Sequence, residues 1–175
     1  MGIDVPRNVS RTARYMALFR ALESARSKER LFEDRFAIYF LPFPMRAAAR
    51  LARLPMIGEL VERGIDARWP GTWSSAVART RLIDDWLGEA ITAGAGQVVI
   101  LGAGFDCRAL RLPALANLPV FEVDRSALLI AKRRRLHSKG LNRNMNPYTV
   151  TNFYLASVLI VGFVFALVNA PGVAT

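Results

Sequence analysis

The sequence predicts an α/β fold in which helices precede a short parallel sheet of the open, doubly wound type. The β-branched run "QVVIL" at 97–101 is typical of a strand buried on both faces, and a glycine turn follows it directly. The run "LPVFEVD" at 118–124 predicts a second strand. A helix with Ser126 near its start and Gly140 beyond its end then follows. This order predicts parallel strands joined by a right-handed crossover.

For the residues before the sheet, the sequence predicts helices and no strands. An apolar face at i, i+3, i+4 and i+7 predicts the first of them: Tyr15, Leu18, Phe19 and Leu22. Further helices are expected over 31–40 and 45–54, after Pro55, and from Thr72 or Ser74 to about Ala93. The last of these is expected to turn a second apolar set inward: Ile83, Trp86, Leu87 and Ala90. We therefore divide the chain into a helical N-terminal extension (1–95), a partial cofactor-binding unit (96–140) and a basic-flanked apolar tail (141–175).

Composition limits the classes of function. The chain has 24 Lys and Arg against 14 Asp and Glu, a net charge of +10. These cations are scattered along predicted helices and are not interleaved with aromatic residues, so we expect no nucleic-acid binding. The single cysteine and single histidine exclude an internal disulfide, a cysteine-based zinc site and a multi-histidine metal site.

The glycine turn and a later acid predict a ligand site. Gly102 and Gly104 follow the first strand, where glycine allows positive φ and lets a ligand approach the backbone. Asp124 ends the second strand, twenty residues after Gly104. An acid at that place in such folds accepts hydrogen bonds from ribose hydroxyls. The alternative is a tight structural turn beside an ordinary surface aspartate.

The identity of the nucleoside depends on Cys107 and Arg79. A dinucleotide fingerprint places a third glycine where Cys107 stands, which disfavours NAD or FAD. S-adenosyl-L-methionine carries a ribose but no phosphate, and its carboxylate needs a cation. Arg79, four residues before Ile83 on the same predicted face, could supply that cation. Otherwise it extends to solvent from the first turns of its helix.

Four ordered segments resemble one family. They are "RTARYMALFRALESARSKERLFEDRFA", "ARTRLIDDWL", "QVVILGAGFDCRALRL" and "VFEVDRSALLIAKRRRL", and they span about residues 10 to 136. Together they resemble the leucine carboxyl methyltransferase-like family, in its actinobacterial branch of S-adenosyl-L-methionine-dependent methyltransferases. The resemblance implies a class I methyltransferase, or Rossmann-like, fold whose helical extension covers the cofactor.

The resemblance also implies roles for individual residues. Arg79 would bind the methionine carboxylate of the cofactor, and Gly102, Ala103 and Gly104 would line its amino-acid end. Asp124 would hold the ribose, with Glu122 as a weaker second choice. The reaction would be methyl transfer to an oxygen acceptor, either a carboxylate or an unidentified small molecule. Cys107 would serve packing, and His137 would lie at a helix end on the surface.

The family pattern is expected to stop after Leu136, so the chain would be a C-terminally truncated member. Residues 150–170 carry no charge and are numerous enough to span a bilayer as a helix. The basic flank would keep the preceding part cytoplasmic, and the run "KRRR" at 132–135 is expected to be solvated or to meet lipid headgroups. Alternatively, this tail forms a buried core helix or is the product of a shifted reading frame. A tail-anchored membrane protein without catalysis is therefore the second functional hypothesis.

Overall fold

The computed structural model describes residues 11–27 and 29–141. The chain divides into two compact units, of which the first ends at Leu82 and the second begins at Ile83. This division falls within one long helix. The predicted α/β class is confirmed, because helices accompany a small parallel sheet.

The first unit consists of helices. It contains α1 (Arg11–Ala25), a 3-10 turn (Ala37–Phe40), α2 (Phe43–Leu51), α3 (Pro55–Arg68) and the first part of α4 (Thr72–Thr92). The predicted apolar face of α1 is confirmed in part: Phe19 and Leu22 are buried, while Tyr15 and Leu18 are half-buried. Helix α1 packs against the 3-10 turn and α2. The small core of this unit therefore forms around α1.

The helix predicted over 31–40 is wrong for most of its length, because only Ala37–Phe40 is helical. Side chains take the backbone donors that a helix would use. The buried Asp34 accepts from the N–H groups of Phe36 and Ala37 through Oδ1, at 3.1 and 3.0 Å. The N–H of Leu31 donates a hydrogen bond to Glu23 Oε1 at 2.6 Å. These contacts hold 31–36 in an irregular loop.

Helix α2 begins two residues earlier than predicted. Pro42 precedes it, and Pro44 lies within its first turn, where proline leaves no helical hydrogen bond unmade. Helix α3 begins at Pro55, as predicted. It contains Gly58, at which a Cβ atom would lie 2.8 Å from the carbonyl oxygen of Ala52. Gly58 therefore allows α3 to pass close to the end of α2.

The second unit contains the predicted parallel pair. Strand β1 (Val98–Leu101) pairs with β2 (Val120–Val123) in the register Val98 to Val120 and Leu101 to Val123. The strands alternate between buried and half-buried residues, so the expectation that β1 is buried on both faces was wrong. The buried face forms a core with residues from α4 and the helices of this unit: Leu87, Val98, Ile100, Ala103, Leu115, Val120 and Leu129.

The helices of the second unit follow the predicted order. The four-residue helix α5 (Arg108–Arg111) and a 3-10 turn (Pro113–Leu115) connect the strands, and α6 (Ser126–His137) follows β2. Gly140 takes φ +67° beyond the end of α6, as expected for a helix stop. On α4 the predicted inward set holds at Leu87 but fails at Trp86, which is 59% exposed.

Among the helices of residues 11–27 and 29–141, none combines the length and the apolar character that a bilayer crossing demands. The segment at 150–170, for which the spanning or buried helix was predicted, lies outside the described residues.

Candidate functional site

The glycine turn after β1 is fastened to the end of β2. The N–H groups of Gly102 and Ala103 both donate to the carbonyl oxygen of Val123, at 2.8 and 3.2 Å. Gly102 and Gly104 take φ values of +66° and +50°, the left-handed region that glycine enters without steric cost. The N–H of Asp106 then donates to the carbonyl of Ala103 at 2.7 Å and closes the turn. The predicted glycine turn is thus present at the carboxyl edge of the sheet.

Asp124 faces this turn. Its Oδ2 accepts a hydrogen bond from the N–H of Gly104 at 2.7 Å, and its Oδ1 accepts from its neighbour Arg125 N–H at 2.6 Å. The side chain is half-buried. Each carboxylate oxygen has two acceptor positions, so each can still accept from a ligand hydroxyl. The structure therefore brings together the two features from which the site was predicted.

Gly102 leaves open space beside the turn. A Cβ atom built at Gly102 would meet no heavy atom within 4 Å, and the residue is exposed. Glycine is therefore required here by its backbone angle and not by crowding. Its exposed backbone gives a ligand direct access to the bend.

Ala103 and Glu122 have other contacts. The side chain of Ala103 belongs to the apolar core, so Ala103 can offer a ligand only its backbone. Glu122 is buried, and its Oε1 and Oε2 accept from Lys132 Nζ at 2.6 and 2.7 Å. A ribose contact of Glu122 would compete with this ion pair, and that role stays a prediction.

Arg79 lies in the first unit, on α4. It is half-buried, and its Nη2 lies 3.5 Å from the sulfur of Met16. A thioether is a weak acceptor, so this contact satisfies little of the guanidinium's hydrogen-bonding capacity. The predicted role of Arg79 in carboxylate binding stays a prediction.

Lys132 is a functional candidate that the sequence analysis missed. The prediction that the run 132–135 is solvated was wrong at this residue, which is 1% exposed. Burial by itself lowers the pKa of Lys132, but Glu122, with smaller contributions from Cys107 and Asp106, more than compensates, so the pKa of Lys132 is raised. The spacing of α6 could have indicated this burial. Lys132 lies four residues after Leu128 and four before Leu136, and all three are on the buried face of the helix.

A second buried network was also missed. Asp84 on α4 accepts from Arg108 Nε at 2.7 Å and from Arg111 Nη2 at 2.7 and 2.6 Å. Arg108 also contacts the carboxylate of Asp106 at the end of the glycine turn. The spacing of Arg108 and Arg111, i and i+3 on a short helix, places both on one side. This network fastens the segment after the turn to α4.

Cys107 and His137 lie as predicted. Cys107 is 1% exposed, and its thiol lies 3.4 Å from the carbonyl of Phe105. This burial agrees with the predicted packing role. His137 is the last residue of α6 and is exposed.

Comparison with known proteins places this arrangement in a family. The family model described as leucine carboxyl methyltransferase matches residues 13–154. A protein of Frankia alni is 39% identical over 148 residues, which is 85% of this chain and 49% of the relative. A protein of Mycobacterium tuberculosis is 36% identical over 152 residues (84% of this chain and 42% of the relative), and one of Saccharopolyspora erythraea is 33% identical over 147 (84% and 48%). All three carry the name "putative S-adenosyl-L-methionine-dependent methyltransferase".

The extent of the match corrects one expectation. The family pattern does not stop after Leu136 but continues to residue 154, into the first residues of the predicted apolar segment. The chain spans a little less than half the length of these relatives. Since the family model matches most of the sequence, the chain belongs to the leucine carboxyl methyltransferase family.

Proposed function

We propose that this chain binds S-adenosyl-L-methionine at the glycine turn and serves methyl transfer to an oxygen acceptor of the carboxylate class. The contact between Asp124 and the N–H of Gly104 carries the proposal, because it sets a half-buried carboxylate at the bend, where Gly102 is exposed and has open space beside it. The fold would be the first part of a class I methyltransferase sheet, preceded by a helical extension. The names of the relatives support the same cofactor.

The arrangement of Asp124 supports a site for the sugar of this cofactor. Asp124 is held by two backbone N–H groups, so its carboxylate is fixed before a ligand arrives. Fixed acceptors of this kind bind vicinal hydroxyls without a further cost of ordering the side chain. The open side of Gly102 would allow the amino-acid part of the ligand to lie against the backbone.

The cofactor would supply a methyl group on a sulfonium, which a carboxylate oxygen accepts without a catalytic base. The residues of this chain would therefore act by binding and orientation, which is the main requirement for such a transfer. Arg79 would contribute a cation for the carboxylate of the cofactor.

Two features of location remain predictions. A cytoplasmic site of action and anchoring through 150–170 rest on the sequence pattern alone, and the segment lies outside the described residues.

Titration calorimetry of the purified full chain in mild detergent tests the proposed cofactor. We expect S-adenosyl-L-methionine to bind and NAD to give no heat of binding at the same concentration. Arg79→Ala should weaken binding by about tenfold, the loss of one charge-assisted contact. Arg53→Ala, which removes an exposed arginine of the same unit, is the matched control. Binding of NAD in place of S-adenosyl-L-methionine would overturn the proposal.

A further inference from the structure

Lys132 uses all three of its donors inside the second unit. Its Nζ donates to both carboxylate oxygens of Glu122, at 2.6 and 2.7 Å, and to the backbone carbonyl of Asp106. An ammonium group has three N–H donors and no acceptor, so these three contacts saturate it. Lys132 is also only 1% exposed. Its ammonium group therefore has no N–H donor available to solvent or to a surface ligand.

Asp106, whose carbonyl accepts from Lys132, is the last residue of the glycine turn. The N–H of the same residue donates to Ala103 and closes the turn, while its carbonyl points to the ammonium. Lys132 therefore contacts the turn at the residue where the chain leaves it. Its other partner, Glu122, lies on β2 two residues before Asp124.

Besides the backbone bonds to the Val123 carbonyl, two acidic side chains, one in strand β2 and one directly after it, hold the turn at two places. Asp124 binds the N–H of Gly104 directly, and Glu122 reaches the carbonyl of Asp106 through Lys132. The second link requires a cation, because a carboxylate and a carbonyl are both acceptors and cannot bond each other. Of the three groups in this second link, only the ammonium is a donor, so it joins Glu122 to the carbonyl of Asp106.

We infer that Lys132 is a positioning residue of the cofactor site, which holds the glycine turn against β2 so that Gly104 and Asp124 keep their geometry. This inference rests on the proposed function for its consequence on cofactor binding. The geometric part stands by itself, since it concerns only contacts within the second unit. It gives Glu122 a role through Lys132 and not through the ribose.

A paired apolar replacement separates positioning from stability. Replacing Lys132 alone would leave the carboxylate of Glu122 buried without its partner, which is strongly destabilising. Replacing a buried ion pair by apolar side chains of similar volume is often neutral for folding. The double variant Glu122→Leu with Lys132→Met should therefore fold but lose the link to Asp106, and Lys132→Arg should retain part of it.

Amide hydrogen exchange of the ligand-free chain tests the geometric part. We expect exchange at Gly104 N–H to speed by at least about tenfold in the double variant, as its bond to Asp124 opens more often. Val98 N–H, which donates to Pro119 at the far end of β1, is the internal reference and should change little. Lys132→Arg should restore part of the protection. Unchanged exchange at Gly104, or equal acceleration at Gly104 and Val98, would overturn the inference.

Calorimetry with S-adenosyl-L-methionine tests the functional part on the same proteins. We expect the double variant to bind about tenfold more weakly than the wild type, and Lys132→Arg to lie between them. Wild-type affinity in a double variant with a loosened Gly104 would overturn the positioning role. Absence of binding to the wild type itself would refute the proposed function, while the exchange result would still decide the geometry.

Discussion

The carboxylate of Asp124 accepts a hydrogen bond from the backbone N–H of Gly104, at 2.7 Å. The two residues are twenty positions apart in sequence and meet because β1 and β2 are parallel and end at the same edge. This contact ties the carboxylate to the bend and defines the geometry on which the proposed cofactor site depends.

Gly102 should not tolerate a side chain although space is available. Gly102→Ala forces alanine into φ +66°, at a cost of roughly 1–2 kcal/mol. Gly96→Ala is the matched control, because Gly96 also has open space but lies outside the left-handed region, and we expect a change within about 0.5 kcal/mol. Urea denaturation of both variants measures the difference. Equal stabilities would show that backbone angle does not select glycine here.

Two glycines of α3 should respond in opposite directions to alanine. Gly58→Ala would place a methyl group 2.8 Å from the carbonyl oxygen of Ala52 and should destabilise the chain by about 1–3 kcal/mol. Gly64→Ala meets nothing within 4 Å on the same helix. It should stabilise the helix by up to about 1 kcal/mol. Thermal unfolding of the pair checks this, and a stabilising Gly58→Ala would refute the close approach of α3 and α2.

Asp34 should be important for the stability of the first unit. It is 1% exposed, and it accepts from two backbone N–H groups and from Arg20 Nε at 2.9 Å. Asp34→Ala should cost about 3 kcal/mol, since it removes a buried charged acceptor. The neighbouring Glu33→Ala, at an exposed position, is the control and should change the urea midpoint little. Comparable losses in the two variants would contradict this role.

The raised pKa of Lys132 predicts a loss of stability at alkaline pH. Its folded-state pKa lies above the ordinary value of 10.5, so its contribution is complete below pH 10.5 and falls as the pH rises through the folded-state value. The double variant Glu122→Leu with Lys132→Met lacks this group. Above pH 10.5 the wild type should therefore lose stability relative to the double variant, as measured by denaturant titration. Parallel pH profiles would contradict the buried ion pair.

The order of strands and helices around the turn could be predicted from sequence because local signals agree there. The β-branched run before Gly102, the terminal Asp124 and the stop at Gly140 each indicate the same arrangement, and the structure confirms it. The contact of Asp124 with the turn follows from parallel pairing, so its position was also predictable.

The errors arose where side chains override local patterns. A helix is expected over 31–40, but the side chains of Asp34 and Glu23 accept from backbone N–H groups of this segment and hold its first part in a loop. Because Lys132 begins a run of four cations, the sequence predicts that its side chain is exposed to solvent or to lipid headgroups. Its partner Glu122 is ten residues away on a strand, and no local pattern reveals that pairing.

Binding of S-adenosyl-L-methionine to Asp124→Ala, measured by calorimetry beside Glu89→Ala as the exposed-acid control, tests the central claim most directly. Loss of a charged acceptor for ribose hydroxyls predicts affinity lower by about tenfold to a hundredfold for Asp124→Ala, with Glu89→Ala unchanged. Equal affinity of the two variants, in chains shown to be folded, would contradict the assignment of the site.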